Sequence, residues 1–204
     1  MLPLRPDSHG VLGLTITNLG LFLASGLLLT VILGGVYGSL WERTAELRTT
    51  ADTLNTYVET LSAAYNDSRL VIPIIRGLSL LHMTSSTESL RVSTQGSFGA
   101  TLTITERWTC RPWPRNNSSW QSGVDLHQWL NTTYGHAGTV EDPVNQTVLN
   151  ALKETHLAAV AWLARTPMEF NSALPLVAEN VIIYMPQDHV AFILLYQTES
   201  ARTS

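Results

Sequence analysis

Between Arg107 and Trp120 three arginines and three tryptophans alternate: Arg107, Trp108, Arg111, Trp113, Arg115 and Trp120. Tryptophan and arginine are the residue types most enriched where binding energy concentrates, because each offers a large flat surface together with polar N–H groups. These six are the partner-contact candidates. The competing reading is that the indoles cover a sheet while the guanidinium groups stay in water.

Cys110 lies inside the same segment and is the single cysteine of the chain. One thiol excludes an intrachain disulfide and a cysteine-based zinc site. In an outward-facing domain it suggests an intermolecular disulfide or a reactive thiol, with a buried inert thiol as the alternative. The six histidines are scattered, and no nucleophile elbow, phosphate loop, dinucleotide glycine pattern or His-Glu-x-x-His motif is present. His156 falls in the apolar stripe of a predicted helix and reads as a hydrogen-bonded core histidine. These searches predict no enzyme, no cofactor and no metal.

Five Asn-X-Ser/Thr sequons stand at Asn66, Asn116, Asn117, Asn131 and Asn145, taking half of the ten asparagines. They are glycosylation candidates if the domain faces outward. The net charge of −4 gives no argument for nucleic acid as a partner. Eleven arginines against the single Lys153 point to coding bias rather than to a folding constraint.

The elements that must carry these residues begin with a run from Gly10 to Trp41 that holds no charged side chain. Its most apolar part, Leu19–Val36, approaches the ~20 residues a helix needs to cross a bilayer. The expected organisation is a short tail over 1–10, a transmembrane signal-anchor helix over 11–39, a helical stalk over 40–66 and a head domain over 67–204. A cleaved signal peptide is the alternative, since Val36 and Gly38 are small enough to flank a cleavage site. Arg43 and Arg48 outnumber Arg5 near the ends and lean weakly toward a cytoplasmic C-terminus. The sequons outweigh that single-arginine difference and put the head outside. Gly34 and Gly38 form a Gly-x-x-x-Gly pair that lets two membrane helices approach closely.

Leucines then recur every seven residues, at Leu33, Leu40, Leu47, Leu54 and Leu61. That period is one seam of a coiled coil. With leucines at d, the a positions are Thr44, Ala51, Val58 and Tyr65, only half apolar. Three partners are therefore open: another copy, joined through Gly34, Gly38, Leu40, Leu47, Leu54 and Leu61, the protein's own head, or a different protein.

In the head, Leu70–Leu81 reads as a short buried strand broken by Pro73, followed by a turn or short helix through His82. Period-two alternation around Gly96–Gly99 predicts a hairpin from Leu90 to Glu106. Pro112 and Pro114 make Trp108–Trp120 a loop. Asp125–Leu130 reads as one or two helical turns. Asp142-Pro143 opens a helix that ends before Pro167. Leu176–Met185 and Val190–Gln197 form a second hairpin, whose continuous apolar cores predict strands covered on both faces.

The expected class is α+β: a transmembrane helix continuing into a helical stalk, then a small antiparallel sheet of four or five strands packed against a helix. The expected function is a single-pass type II membrane glycoprotein with a stalked ectodomain. It would act as a binding module at a viral envelope or cell surface, with the lipid bilayer and a second copy or other membrane subunits as partners. The alternative is an accessory subunit of a larger membrane complex, such as an actinobacterial cell-envelope protein, with accidental sequons.

Overall fold

The computed structural model describes residues 8–64, 66–72, 81–95, 101–116, 119–171 and 174–198. Tyr65, the Pro73–Gly77 stretch, the Gly96–Gly99 loop, Asn117 and the tail beyond Thr198 lie outside the described residues. The fold is α+β. A long N-terminal helix is followed by two small sheets packed with helices. The chain divides into two compact units, up to Arg43 and from Thr44 onward.

Helix α1 runs Ser8–Ser62. Its apolar part is long and apolar enough to cross a membrane, with mean hydropathy 1.8, a test that a signal sequence also passes. None of that window is buried by the rest of the chain. Two hydroxyls within it are satisfied internally: Ser25 Oγ donates to the Leu21 carbonyl at 2.7 Å and Thr30 Oγ1 to the Gly26 carbonyl at 2.8 Å. Such i−4 bonds spare these two donors a partner in an apolar surrounding.

From Thr44 on, α1 belongs to the second unit. There the leucine seam faces inward. Leu47, Ala51, Leu54, Val58 and Leu61 are at most 7% exposed and form one core with residues of both sheets. From Leu47 to Leu61 the seam packs on the protein's own head. A half-polar set of a positions suits this, since Ala51 and Val58 are buried while Thr44 is only half-buried. Burying each leucine is worth about 1.5–3 kcal/mol.

The first sheet has strand order β1-β7-β8-β5, with β1 at Ser68–Ile72, β7 at Leu176–Tyr184, β8 at His189–Gln197 and β5 at Trp113–Pro114. The predicted C-terminal hairpin is present, with Val181 opposite Phe192 and Tyr184 opposite His189. Both faces of β7 and β8 are covered. Leu176, Ala178, Ile193 and Leu195 join the α1 core. Val177, Val181, Ile183, Phe192, Leu194 and Tyr196 form a second core with α2 (Gly123–Tyr134) and α3 (Gln146–Leu163).

The second sheet has order β4-β3-β2-β6: β4 at Thr101–Arg107, β3 at Ser89–Gln95, β2 at Leu81–Ser85 and β6 at Met168–Asn171. The hairpin predicted from period two is β3 and β4, antiparallel with Val92 opposite Ile104. His82 sits in β2, opposite Asn171, rather than in a turn. Instead of one sheet of four or five strands there are two of four. The extra strands are β2, expected as a turn or short helix, together with the four-residue β6 and the two-residue β5, the last two too short to leave a periodic signal.

Two helix boundaries also differ from expectation. Helix α2 is twice the predicted length, because Ser122 and Asp125 form a capping box and Gly135 closes it at φ 78°. Helix α3 starts at Gln146 behind an Asn145 cap, not at Asp142-Pro143. The Asp142 carboxylate is occupied elsewhere: it accepts from Ala137 N at 2.7 Å and contacts His136 Nδ1 at 2.8 Å.

Candidate functional site: an arginine between tryptophans at a cleft

Strand β5 runs parallel to β8, and Arg115 N donates to the Leu195 carbonyl at 2.7 Å. This pins the backbone of the Trp/Arg segment along the β8 edge of the first sheet, where β5 is the outer strand. The Arg115 guanidinium carbon then lies 3.4 Å from the Trp120 ring centroid and 4.7 Å from that of Trp113. Those two indoles meet edge to face at 5.0 Å. Arg115 Nη2 donates to the Trp120 carbonyl at 3.2 Å, while Nε has no hydrogen-bond partner among the described residues.

Arg115 is only 6% exposed. Burial lowers its pKa to about 10, so it stays cationic near neutrality. His82 pairs with Glu169 and His136 with Asp142, and among the described residues no carboxylate reaches Arg115. A buried charge without a counter-ion is costly, and the faces of Trp113 and Trp120 offset part of that cost.

Helix α2 builds the other wall. Gly123 N donates to Glu179 Oε2 at 2.8 Å, and Tyr196 Oη donates to the same oxygen at 2.7 Å. The carboxylate at the α2 N-terminus suits the partial positive charge there. A Cβ at Gly123 would lie 2.7 Å from Val181 Cγ2, so only glycine allows this close approach. Trp129 follows on α2, its ring 6.1 Å from Trp120 and 5.7 Å from Tyr134. Trp162 projects from the end of α3 and is 59% exposed.

Between these walls lies a cleft of about 1290 Å³. Arg115, Trp113, Trp120, Trp129 and Trp162 line it, together with the polar side chains of Asn116, Ser119, Gln121, Gln128, Thr132, Asp125 and Glu169. The cleft is large enough to hold a ligand, and its lining mixes aromatic faces with many polar groups.

The six partner-contact candidates are thus divided. Trp108, Trp113, Trp120 and Arg115 are buried, whereas Arg107 and Arg111 are exposed. Trp108 belongs to the α1 core, where its Nε1 donates to the Ser86 carbonyl at 3.0 Å. Asn55 of α1 holds the neighbouring loop, accepting from Thr109 N at 3.3 Å. Trp129 and Trp162 were not among the candidates. Their signal was a tryptophan off the apolar stripe of a helix.

Cys110 is half-buried. It lines a smaller cavity of about 390 Å³ with His156, Arg111 and Lys153. Burial pushes its thiol pKa up, and the Glu59 charge adds to that, so the protonated, less nucleophilic form is favoured. His156 is half-buried with its ring 4.6 Å from Trp113 and 5.7 Å from Phe192, but its Nε2 makes no hydrogen bond among the described residues. Stacking, not the expected hydrogen bonding, holds it. Burial, then the charges of Arg111 and Arg115, lower its pKa.

Asn66, Asn116, Asn131 and Asn145 are exposed, and Asn117 is outside the described residues. Asn145 also caps α3, its Oδ1 accepting from Val148 N at 3.0 Å. Gly34 and Gly38 are exposed, and a Cβ at either would meet nothing within 4 Å. Among the described residues no three of His, Cys, Asp and Glu gather closely enough to hold a metal ion. Compared with known proteins, the chain matches no protein-family model, no curated protein and no solved structure.

Proposed function

We propose that this is a membrane-tethered binding protein, a single-pass type II glycoprotein whose C-terminal unit faces outward at a cell surface or viral envelope. The observation that carries the binding role is Arg115, a buried cation with no carboxylate partner among the described residues, set in the wall of a tryptophan-lined cleft. A cation held this way is poised for an external anionic group, since the cost of its desolvation is already borne by the fold. The tether rests on the exposed apolar part of α1, with Leu27, Leu28, Leu29 and Val31 all open to their surroundings. The outward placement rests on sequons whose described asparagines are all exposed. No catalytic step is assigned to the cleft.

The test is the full chain expressed in a glycosylating cell. Retention in the membrane pellet after alkaline carbonate, with a mobility shift on endoglycosidase treatment, is the expected result. A released chain lacking its N-terminus would identify a signal sequence instead, and a carbonate-resistant chain without the shift would reverse the orientation.

A further inference from the structure

We infer that the cleft takes an acidic saccharide, its carboxylate set against Arg115 and its ring against the indoles of Trp129 and Trp162. This rests on reading the cleft as a binding site and names its ligand class.

Charge decides the first half. Arg115 is the one arginine or lysine among the described residues lining the cleft, which also carries the carboxylates of Asp125 and Glu169. It keeps its charge at neutral pH despite burial, and neither carboxylate pairs with it. A guanidinium is a planar fork matched to a carboxylate, and such charge-assisted bonds are roughly twice as strong as neutral ones.

Shape and chemistry of the remaining wall decide the second half. Trp129 is half-buried and Trp162 exposed, so both present indole surface to the opening. A pyranose has one face of C–H groups that lies flat on an indole and a rim of hydroxyls that both donate and accept. Gln128 and Thr132 line the same cleft and are exposed: the Gln128 amide both donates and accepts, and Thr132 Oγ1, which donates to the Gln128 carbonyl at 2.8 Å, is left to accept. A simple inorganic anion would leave the indoles unused, and a neutral sugar would leave Arg115 unpaired.

The experiment titrates the full chain in detergent with sialyllactose, a glucuronic-acid disaccharide, lactose and a glutamate-rich peptide, following tryptophan fluorescence and saturation-transfer NMR. The expected result is that at least one carboxylated sugar binds about tenfold or more tightly than lactose, the factor that about 1.4 kcal/mol of selective pairing produces. That preference shrinks in high salt and disappears in Arg115→Met, which keeps side-chain volume. Gln128→Ala and Trp162→Ala, both at exposed positions, weaken every sugar while leaving thermal unfolding unchanged. Equal binding of acidic and neutral sugars overturns the acidic preference and leaves the binding cleft standing. Binding of the peptide alone overturns the saccharide and also leaves the cleft standing. If no probe binds and Trp162→Ala alters nothing, the inference and the cleft reading both fall.

Discussion

The guanidinium carbon of Arg115 lies 3.4 Å from the Trp120 ring centroid, in the corner that ring makes with Trp113, whose centroid is 4.7 Å away. That contact links the β5 segment to the start of α2, so one side chain supports both walls of the cleft. Arg115→Ala removes a cation–π contact worth about 0.5–2 kcal/mol and also leaves a cavity. Arg115→Met keeps the volume and removes the buried charge, so its urea midpoint should match or exceed that of the parent. A large loss in the methionine variant would show that the charge itself stabilises the head.

Leu54 sits on the heptad seam yet is buried in the head's own core. Leu54→Ala should destabilise the second unit by about 2–5 kcal/mol, independent of protein concentration. Thermal melts across a wide concentration range check this. A melting temperature that climbs with concentration would return the seam to an association role.

Tyr196 donates to Glu179, and burial, followed by that carboxylate, raises its pKa. A phenol whose folded pKa exceeds its unfolded value near 10 contributes stability that is present below pH ~10 and lost as pH rises above it. Tyr196→Phe should cost about 1–3 kcal/mol at neutral pH and flatten the alkaline limb of the stability curve. An unchanged alkaline limb in the variant would argue against this pairing.

His156 behaves in the opposite sense. Its folded pKa is lowered, so the fold favours the neutral ring. The stability it contributes is present above its unfolded pKa near 6.5 and is lost as pH falls below that value. The groups that face it are Trp113, Phe192, Cys110, Lys153 and the guanidinium groups of Arg111 and Arg115, none of them a carboxylate. His156→Phe should therefore lessen the fall in melting temperature between pH 7.5 and pH 5.5, read by circular dichroism. The remaining acid loss belongs to Asp125 and Asp142, whose carboxyl pKa values are lowered and whose contribution is lost only at more acidic pH.

Gly123→Ala tests how tightly α2 docks. The added methyl meets Val181 at 2.7 Å and Glu179 Oε1 at 2.8 Å. Overpacking of this kind costs about 1–3 kcal/mol and should displace the N-terminus of α2 from the sheet. Weaker protection of the Gly123–Glu179 region in hydrogen exchange reads out that displacement, and unchanged protection would refute it.

Local pattern alone determined the α+β class, the apolar helix, the β3–β4 and β7–β8 hairpins and a helix ending before Pro167. Each depends on periodicity or on backbone-limited residues such as proline, which act over a few neighbours. The doubly covered strands were equally legible, because burial on both faces demands an unbroken apolar run. The leucine spacing was visible, but its partner was not. A heptad states only that one helix face is apolar, and two sheets bury that face as well as a second helix does. The cleft belongs wholly to tertiary structure. Arg115, Trp129 and Trp162 lie on three separate elements, and only the pairing of β5 with β8 and the docking of α2 by Glu179 bring them together. The sequence marked Arg115 and Trp120 as chemically capable but placed them on a contact surface. Burial of the cation against two indoles is decided by which atoms surround it, and the packing of the whole head sets that.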